Sequence, residues 1–370
     1  MLHRRRRAGG HDAGFLLARA GVRVVVLEKH ADFFRDFRGD TVHPSTLELT
    51  WELGLLDDFL KLPHQKIETI SAQIGSETIV VGDFRHVPTH RKFIALMPQW
   101  DFLDFLAARA KRFPTFDLRM QTEAVDLIEE DGRIVGLRAR TKDGPLAIRA
   151  ALVVGCDGRH STVREKAGLK GEDYGSPMDV LWFRVSRKDS DPSNAFGHVE
   201  AGQFIVMLDR GDYWQCAYVI AKGGIDRVKI KLLSVAVDRL TEWRRSGLLC
   251  IGDSAHAMSP IGGVGVSLAV QDAVAAANRL AEPLLRGTLT DADLQAVQDR
   301  RMFPVRFTQA LQLAIQKRVV IPVLAGAGRP KPPWPFKLLA MFPVLRRIPA
   351  QLIGVGVRPE HIRTPEAKAG

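Results

Sequence analysis

An α/β fold, with a parallel sheet of Rossmann type and a separate antiparallel sheet, is predicted by three observations. Residues 22–27 are a valine-rich run broken only by Arg23, entered from a helix-like stretch through Gly21 and left at Glu28. That is the pattern of a parallel strand buried on both faces. Two further apolar runs, 152–155 and 248–251, lead into Asp157-Gly158 and Gly252-Asp253 and then into helical patterns. Residues 177–222 alternate apolar and polar positions and carry Trp182, Phe183, Phe204, Trp214 and Tyr218, which reads as antiparallel strands.

Along the chain, residues 15–20 read as the end of a helix with Gly21 as its C-cap. Helix, glycine, strand and acid in that order make the second half of a dinucleotide-binding βαβ unit, in which the acid bonds ribose hydroxyls; a plain αβ unit with a surface Glu28 is the alternative. The first half departs from the G-x-G-x-x-G fingerprint. Arg5 and Arg7 stand at its first two glycine positions, while Gly10 supplies the third and Gly14 the next helix glycine. Arginine attracts phosphate as a charge but obstructs it as a shape. Codons for Gly-Met-Met-Leu-Gly read one base out of frame yield His-Asp-Ala-Gly, so a frame difference is one hypothesis for the lesion; resequencing that finds the present frame intact rejects it.

Further on, Arg35, Arg38 and residues 39–45 precede a helical pattern over 46–53, with Ser45 as its expected N-cap. Strand-like alternation follows over 67–81 and 93–97, and Pro98-Gln99 introduces a helix over 100–111. Residues 133–154 read as a hairpin around Asp143-Gly144 whose second strand runs on into 152–155. Beyond it, Asp157 can accept from a ribityl or ribose hydroxyl and Arg164 is placed to meet a phosphate; an ordinary Asp-Gly turn is the alternative.

The most informative segment is 247–273. A buried strand stops at Gly252-Asp253, and Pro260, Gly262, Gly263 and Gly265 then lead into an apolar-periodic helix. Asp253 at a strand end is a fixed acceptor for a polyol hydroxyl. Glycines at a helix start let a flat ligand approach the backbone, whose free N–H groups and positive dipole favour negative charge. A polyol arm and a ring that becomes anionic describe a flavin. His256 reads as a structural histidine of this loop. In 177–222, His198, Trp214 and Tyr218 are candidates for a substrate pocket, each more readily read as core or surface.

Composition narrows the alternatives. The chain has 370 residues and a net charge of +11, but Lys and Arg are scattered and no helix carries a basic stripe interleaved with aromatics, which argues against a nucleic-acid partner. Cys156, Cys216 and Cys250 lie far apart in apolar runs, which favours buried thiols in a reducing cytoplasm over disulfides or a metal site. Residues 1–7 lack the apolar region of a secretory signal, and no uninterrupted apolar run approaches the roughly 20 residues of a membrane span. The apolar segment 336–357 carries Lys337, Arg346 and Arg347 and can lie on an acidic membrane surface; packing on the protein is favoured because Pro343 and Pro349 interrupt it.

Taken together, Glu28, Asp157-Gly158 and Gly252-Asp253 with its Pro–Gly-rich helix start resemble the FAD-dependent aromatic hydroxylases, the single-component flavoprotein monooxygenases of the para-hydroxybenzoate hydroxylase type. The likeness runs over nearly the whole chain. It implies a glutathione-reductase-like FAD-binding domain (1–70, 98–175 and 245–330), an inserted β-sheet substrate domain (71–97 and 176–244) and a helical, basic extension (331–370). By resemblance, Gly10, Gly14, Glu28 and Lys29 bind the cofactor, Glu28 at the adenosine ribose, and Arg38 and Gln99 contact the pyrophosphate and ribityl region. Asp157, Gly158, Arg164, Gly252 and Asp253 serve the phosphates and the ribityl chain. Pro260, Gly262 and Gly263, with Val264, Gly265 and Val266, face the isoalloxazine ring, and no general base is assigned.

The implied reaction is NADH- or NADPH-dependent hydroxylation of an aromatic or similar planar small molecule with O2, through a flavin C4a-hydroperoxide. Residues 224–233 are shorter than the family pattern. Two other readings stay open: a degenerate homologue that no longer binds FAD, and another FAD oxidoreductase. Among the latter, a halogenase is disfavoured because no W-x-W-x-I-P segment is present.

Overall fold

In the computed structural model, residues 8–33, 41–188, 190–191, 196–224, 231–326 and 332–367 are described. Arg5, Arg7, Arg35, Arg38 and most of the short 224–233 region lie outside them. Two parallel strand pairs form the nucleotide-binding half: Val24–Leu27 with Phe116–Arg119, and Val153–Gly155 with Leu248–Cys250. An antiparallel meander of Glu123–Glu130, Arg133–Thr141 and Gly144–Arg149 stands beside them.

The helix Ala8–Arg19 packs on the 22-residue helix Gly265–Arg286. It also packs so closely on the first strand that a Cβ on Gly14 would lie 2.7 Å from Val26 Cγ2. Gly14 is therefore a packing glycine. Ile261–Arg286, the one stretch among the described residues long and apolar enough to cross a membrane, is largely buried inside the protein.

The second half is a seven-stranded sheet in the order Lys231–Ser234, Met178–Ser186, Tyr213–Ala221, Gln203–Asp209, Phe196–Glu200, Thr69–Ile74, Glu77–Asp83. All its junctions are antiparallel except that between Phe196–Glu200 and Thr69–Ile74. The C-terminal helices Trp334–Met341 and Arg347–Gly354 lie against its edge strand Glu77–Asp83. Pro343 opens a 3-10 turn between them, and Pro349 sits in the first turn of the second helix, where a missing N–H costs little.

Two local expectations are corrected. The second hairpin strand does not run on into the next: Gly144–Arg149 alternates in burial and stays in the meander, whereas Val153–Gly155 is continuously buried and pairs in parallel with Leu248–Cys250. The change of period marks the switch of sheets. The helix expected after Ser45 starts at Pro44 with His43 at the cap position, because proline at the first helical position has no N–H to satisfy.

Behind the Gly252-Asp253 turn lies a buried ionic cluster. Asp272 accepts from the Gly252 N–H at 3.0 Å and the Arg301 Nε at 2.9 Å, and meets His256 Nε2 at 2.6 Å. Arg301 is 1% exposed and Asp272 0%, so each charge depends on its partners. His256 is thus a structural group, as its sequence context suggests.

The fingerprint region tells a different story. His11 and Asp12 are buried in the helix Ala8–Arg19, and burial pushes the Asp12 carboxyl well above the usual carboxylate range. A group raised in the folded state is harmless below its unfolded pKa and costs stability as pH rises. Asp12→Ala is therefore expected to stabilise the chain by about 1 kcal/mol at pH 7, with the gain vanishing below about pH 4. Chemical denaturation of both proteins across pH checks this, and a loss of stability at neutral pH would count against it.

Candidate active site

The two halves enclose a cavity of about 1230 Å³. One wall comes from the strand ends and glycine loops: Gln99, Asp157, Gly158, Asp253, Pro260, and residues 262–266 all line it. Local sequence explains the wall. Gly262 and Gly263 take φ of 79° and 64°, the left-handed region that disfavours other residues, and a Cβ on Gly263 would come within 2.8 Å of Thr41 Oγ1. The helix Gly265–Arg286 then begins with no side-chain cap and no acid in its first turn. Its N–H groups and dipole point at the cavity unsatisfied by the chain's own side chains.

The loop is held from behind. On the helix Asp291–Ile315 and its continuation, Gln309 Nε2 donates to the carbonyls of Asp238 (2.8 Å) and Ala257 (3.1 Å). Gln312 Nε2 donates to those of Ser259 (2.9 Å) and Ile261 (2.8 Å), while its Oε1 accepts from the Ser259 N–H at 3.1 Å. Gln316 Nε2 reaches Ser259 Oγ at 3.0 Å. On the other side, His43 Nδ1 lies 2.9 Å from the Ile353 carbonyl, to which it donates. Burial lowers the His43 pKa to about 4, against carbonyl contacts that raise it, so the ring is neutral at pH 7.

The opposite wall is the inward face of the seven-stranded sheet. Its register places Val180, Val219, Phe204, Val199 and Ile74 in one row across the strands. The next row is Trp182, Ala217, Val206, Gly197 and Ala72, and beyond it Gln215 faces Leu208. The middle row is low because three of its five positions are Ala or Gly. The helix Arg347–Gly354 closes one end with Ile348, Pro349, Leu352 and Ile353.

Not every expected residue reaches this cavity. Glu28 ends its strand fully buried, its Oε1 accepting from the His30 N–H at 3.0 Å, and Lys29 lies 3.9 Å from Glu123. Gly10, Gly14, Glu28, Lys29, Arg164 and Gly252 are outside its lining. Asp157 is engaged first by its own chain: Ser161 Oγ donates to one oxygen and the Val163 N–H to the other, and burial still raises its pKa. Arg164 is turned to Asp238, with Nη1–Oδ2 at 3.1 Å, instead of standing free for a phosphate. Among the candidates in 177–222, the cavity takes up none of His198, Trp214 and Tyr218; Trp182 and Gln215 line it instead.

Comparison with known proteins agrees with this geometry. The family model described as "FAD binding domain" matches residues 8–220 and 214–310. The chain belongs to the FAD-dependent aromatic hydroxylase family. It is 30% identical over 364 residues to 6-methylpretetramide 4-monooxygenase of Streptomyces rimosus, covering 87% of this chain and 86% of that one. It is 25% identical over 336 residues to para-nitrophenol 4-monooxygenase of a Pseudomonas strain, covering 81% and 83%. The crystal structure of p-nitrophenol 4-monooxygenase from Pseudomonas putida superposes with a TM-score of 0.78 at 20% identity, over 95% of this chain and 94% of that one, which shows the shared fold. The chain is accordingly an FAD-dependent oxidoreductase that draws on a nicotinamide co-substrate and O2.

The residues present fit a flavin: an uncapped helix N-terminus for a ring that gains negative charge, a carboxylate at a strand end for a polyol, and a cavity deep enough for a flat group. Gln312 is the loop's main support. Gln312→Met is expected to cost about 3 kcal/mol, since three backbone groups lose their partner, and to weaken flavin retention in step. Urea denaturation and the bound-flavin absorbance after gel filtration measure the two effects. A variant of unchanged stability would reject the assignment.

Proposed function

We propose that the chain hydroxylates a planar aromatic small molecule held between the Pro260–Gly265 loop and the seven-stranded sheet. The observation that carries this reading is the asymmetry of the cavity: a polar wall of strand ends and an uncapped helix N-terminus faces a broad apolar wall. Such a site orients a polar cofactor on one side and keeps water from an apolar substrate on the other.

When bound, FAD supplies the electrons taken from NADH or NADPH and the activation of O2 that ring hydroxylation needs. The chain supplies orientation and electrostatics. Asp253 accepts from a ribityl hydroxyl. The N–H groups of Gly265 and Val266, with the helix dipole, lower the energy of negative charge on the ring. Gln309, Gln312 and Gln316 keep the loop from yielding, and the apolar sheet face excludes water. The buried thiols of Cys156, Cys216 and Cys250 suit a reducing cytoplasm.

The test is the visible spectrum of purified protein after FAD is added in excess and removed by gel filtration, followed by NADH- and NADPH-dependent O2 consumption. Retained flavin absorbance is expected for the parent. Asp253→Ala is expected to weaken FAD binding by roughly 10- to 100-fold, the loss of one charge-assisted hydrogen bond. A colourless parent protein would overturn the reading.

A further inference from the structure

Residues 301–359 hold ten Lys and Arg and no Asp or Glu, so this one stretch carries nearly all of the chain's net charge of +11. The same stretch holds ten of the fourteen large apolar side chains that are exposed among the described residues. The two properties meet in the helix Trp334–Met341 and the turn after it. No residue of that helix is buried, although Lys337 is its only charged side chain. Trp334, Leu338 and Met341 stand four and three residues apart and so share one face. That face is the solvent side, with Trp334 73% exposed and Met341 69%. Phe336 lies on the opposite face and lines the cavity. One layer of chain thus has the cavity on its inner side and an apolar surface on its outer side.

The turn extends that surface. Arg346 Nε donates to the Leu339 carbonyl at 2.9 Å and Nη2 to that of Ala340 at 3.4 Å, folding the 3-10 turn Pro343–Arg346 back on the helix end. Phe342 and Val344 stay exposed there. Lys317, Arg318, Lys337 and Arg347 are exposed too, and none forms an ion pair among the described residues.

An apolar face accompanied by unpaired cations fits few partners. A second copy of the chain would set these cations against themselves across a two-fold axis, which is repulsive. A helix of eight residues is about 12 Å long, too short to span a bilayer. It can lie in the interface, with Trp334 and its apolar neighbours among the acyl chains and the cations at anionic headgroups.

We propose that the outer face of Trp334–Met341 and the turn Pro343–Arg346 dock on a membrane surface rich in anionic lipid, which seats this wall of the cavity against the bilayer. Neither signal suffices alone: a short apolar face binds marginally, and the cations supply the rest. The assignment stands apart from the flavin reading, since no cofactor contact enters it.

The experiment is co-sedimentation of the purified full chain with vesicles of phosphatidylcholine alone, and with vesicles of phosphatidylcholine and phosphatidylglycerol in equal parts. Partition into the mixed vesicles is expected to be at least about tenfold stronger and to fall with added salt. Lys337→Gln combined with Arg347→Gln is expected to weaken it roughly tenfold. Trp334→Ser combined with Met341→Ser is expected to weaken it by roughly the same factor. Lys111→Gln combined with Arg112→Gln removes two exposed cations beyond the helix Gln99–Ala110 and is expected to leave partition within about twofold. Equal partition into both vesicle types would overturn the assignment, as would an equal loss from the Lys111 and Arg112 pair, which would reduce binding to net charge. A parent that stays in the supernatant would overturn it as well. If that parent instead forms a dimer that Trp334→Ser dissolves in sedimentation velocity, the face belongs to a second copy.

Discussion

A single polar stripe on one helix carries much of the architecture. Gln298, Arg301, Gln309, Gln312 and Gln316 are buried on one side of Asp291–Ile315 and its continuation. Gln298 Oε1 accepts from the Trp243 N–H at 2.8 Å and its Nε2 donates to the Thr241 carbonyl at 3.1 Å, Gln309 and Gln312 serve backbone between Asp238 and Ile261, and Gln316 serves the Ser259 hydroxyl. That backbone carries strands of only two or three residues, a 3-10 turn and the loop leading to the glycines, which leave carbonyls at Asp238, Ala257, Ser259 and Ile261 for side chains to satisfy. A buried loop is tolerable only if something else satisfies it. Here side-chain amides do what neighbouring strands do elsewhere, and the loop can keep the open shape that a flat ligand needs.

The same constraint explains what could be read in the sequence and what could not. Elements with their own period were legible: the valine run before Glu28, the short buried strands, the alternation of 177–222 and the helix after Gly265. The glycine loop was legible too, because positive φ at Gly262 and Gly263 restricts the residue type. The glutamine stripe was not. Its spacing of eleven, three and four residues is that of a helix face, but polar residues at that spacing ordinarily mark the solvent side. The absence of Lys and Glu from the amide positions was the available signal.

Charged residues in the motifs were the hardest to place. Asp157 and Arg164 belong to a segment whose form matches a nucleotide site, yet Asp157 accepts from the Val163 N–H and the capping Ser161 hydroxyl at the start of the helix Thr162–Lys166, and Arg164 pairs with Asp238. Short polar side chains near a helix start serve the nearest orphan N–H first. Sequence spacing ranks them as ligands for phosphate and ribose without seeing those local claims. Trp182 and Gln215 show the converse: each sits in an ordinary strand pattern, and only cross-strand register reveals that they share a face.

The contact between His43 Nδ1 and the Ile353 carbonyl bears on how the protein is made. It joins the segment just behind Gly263 to a helix more than three hundred residues later in the chain, and that helix also closes one end of the cavity. The nascent chain has every strand of both sheets before it has this last wall. The pocket thus gains this wall only after residues 347–354 have left the ribosome, later than the glycine loop and the sheet that form its other walls.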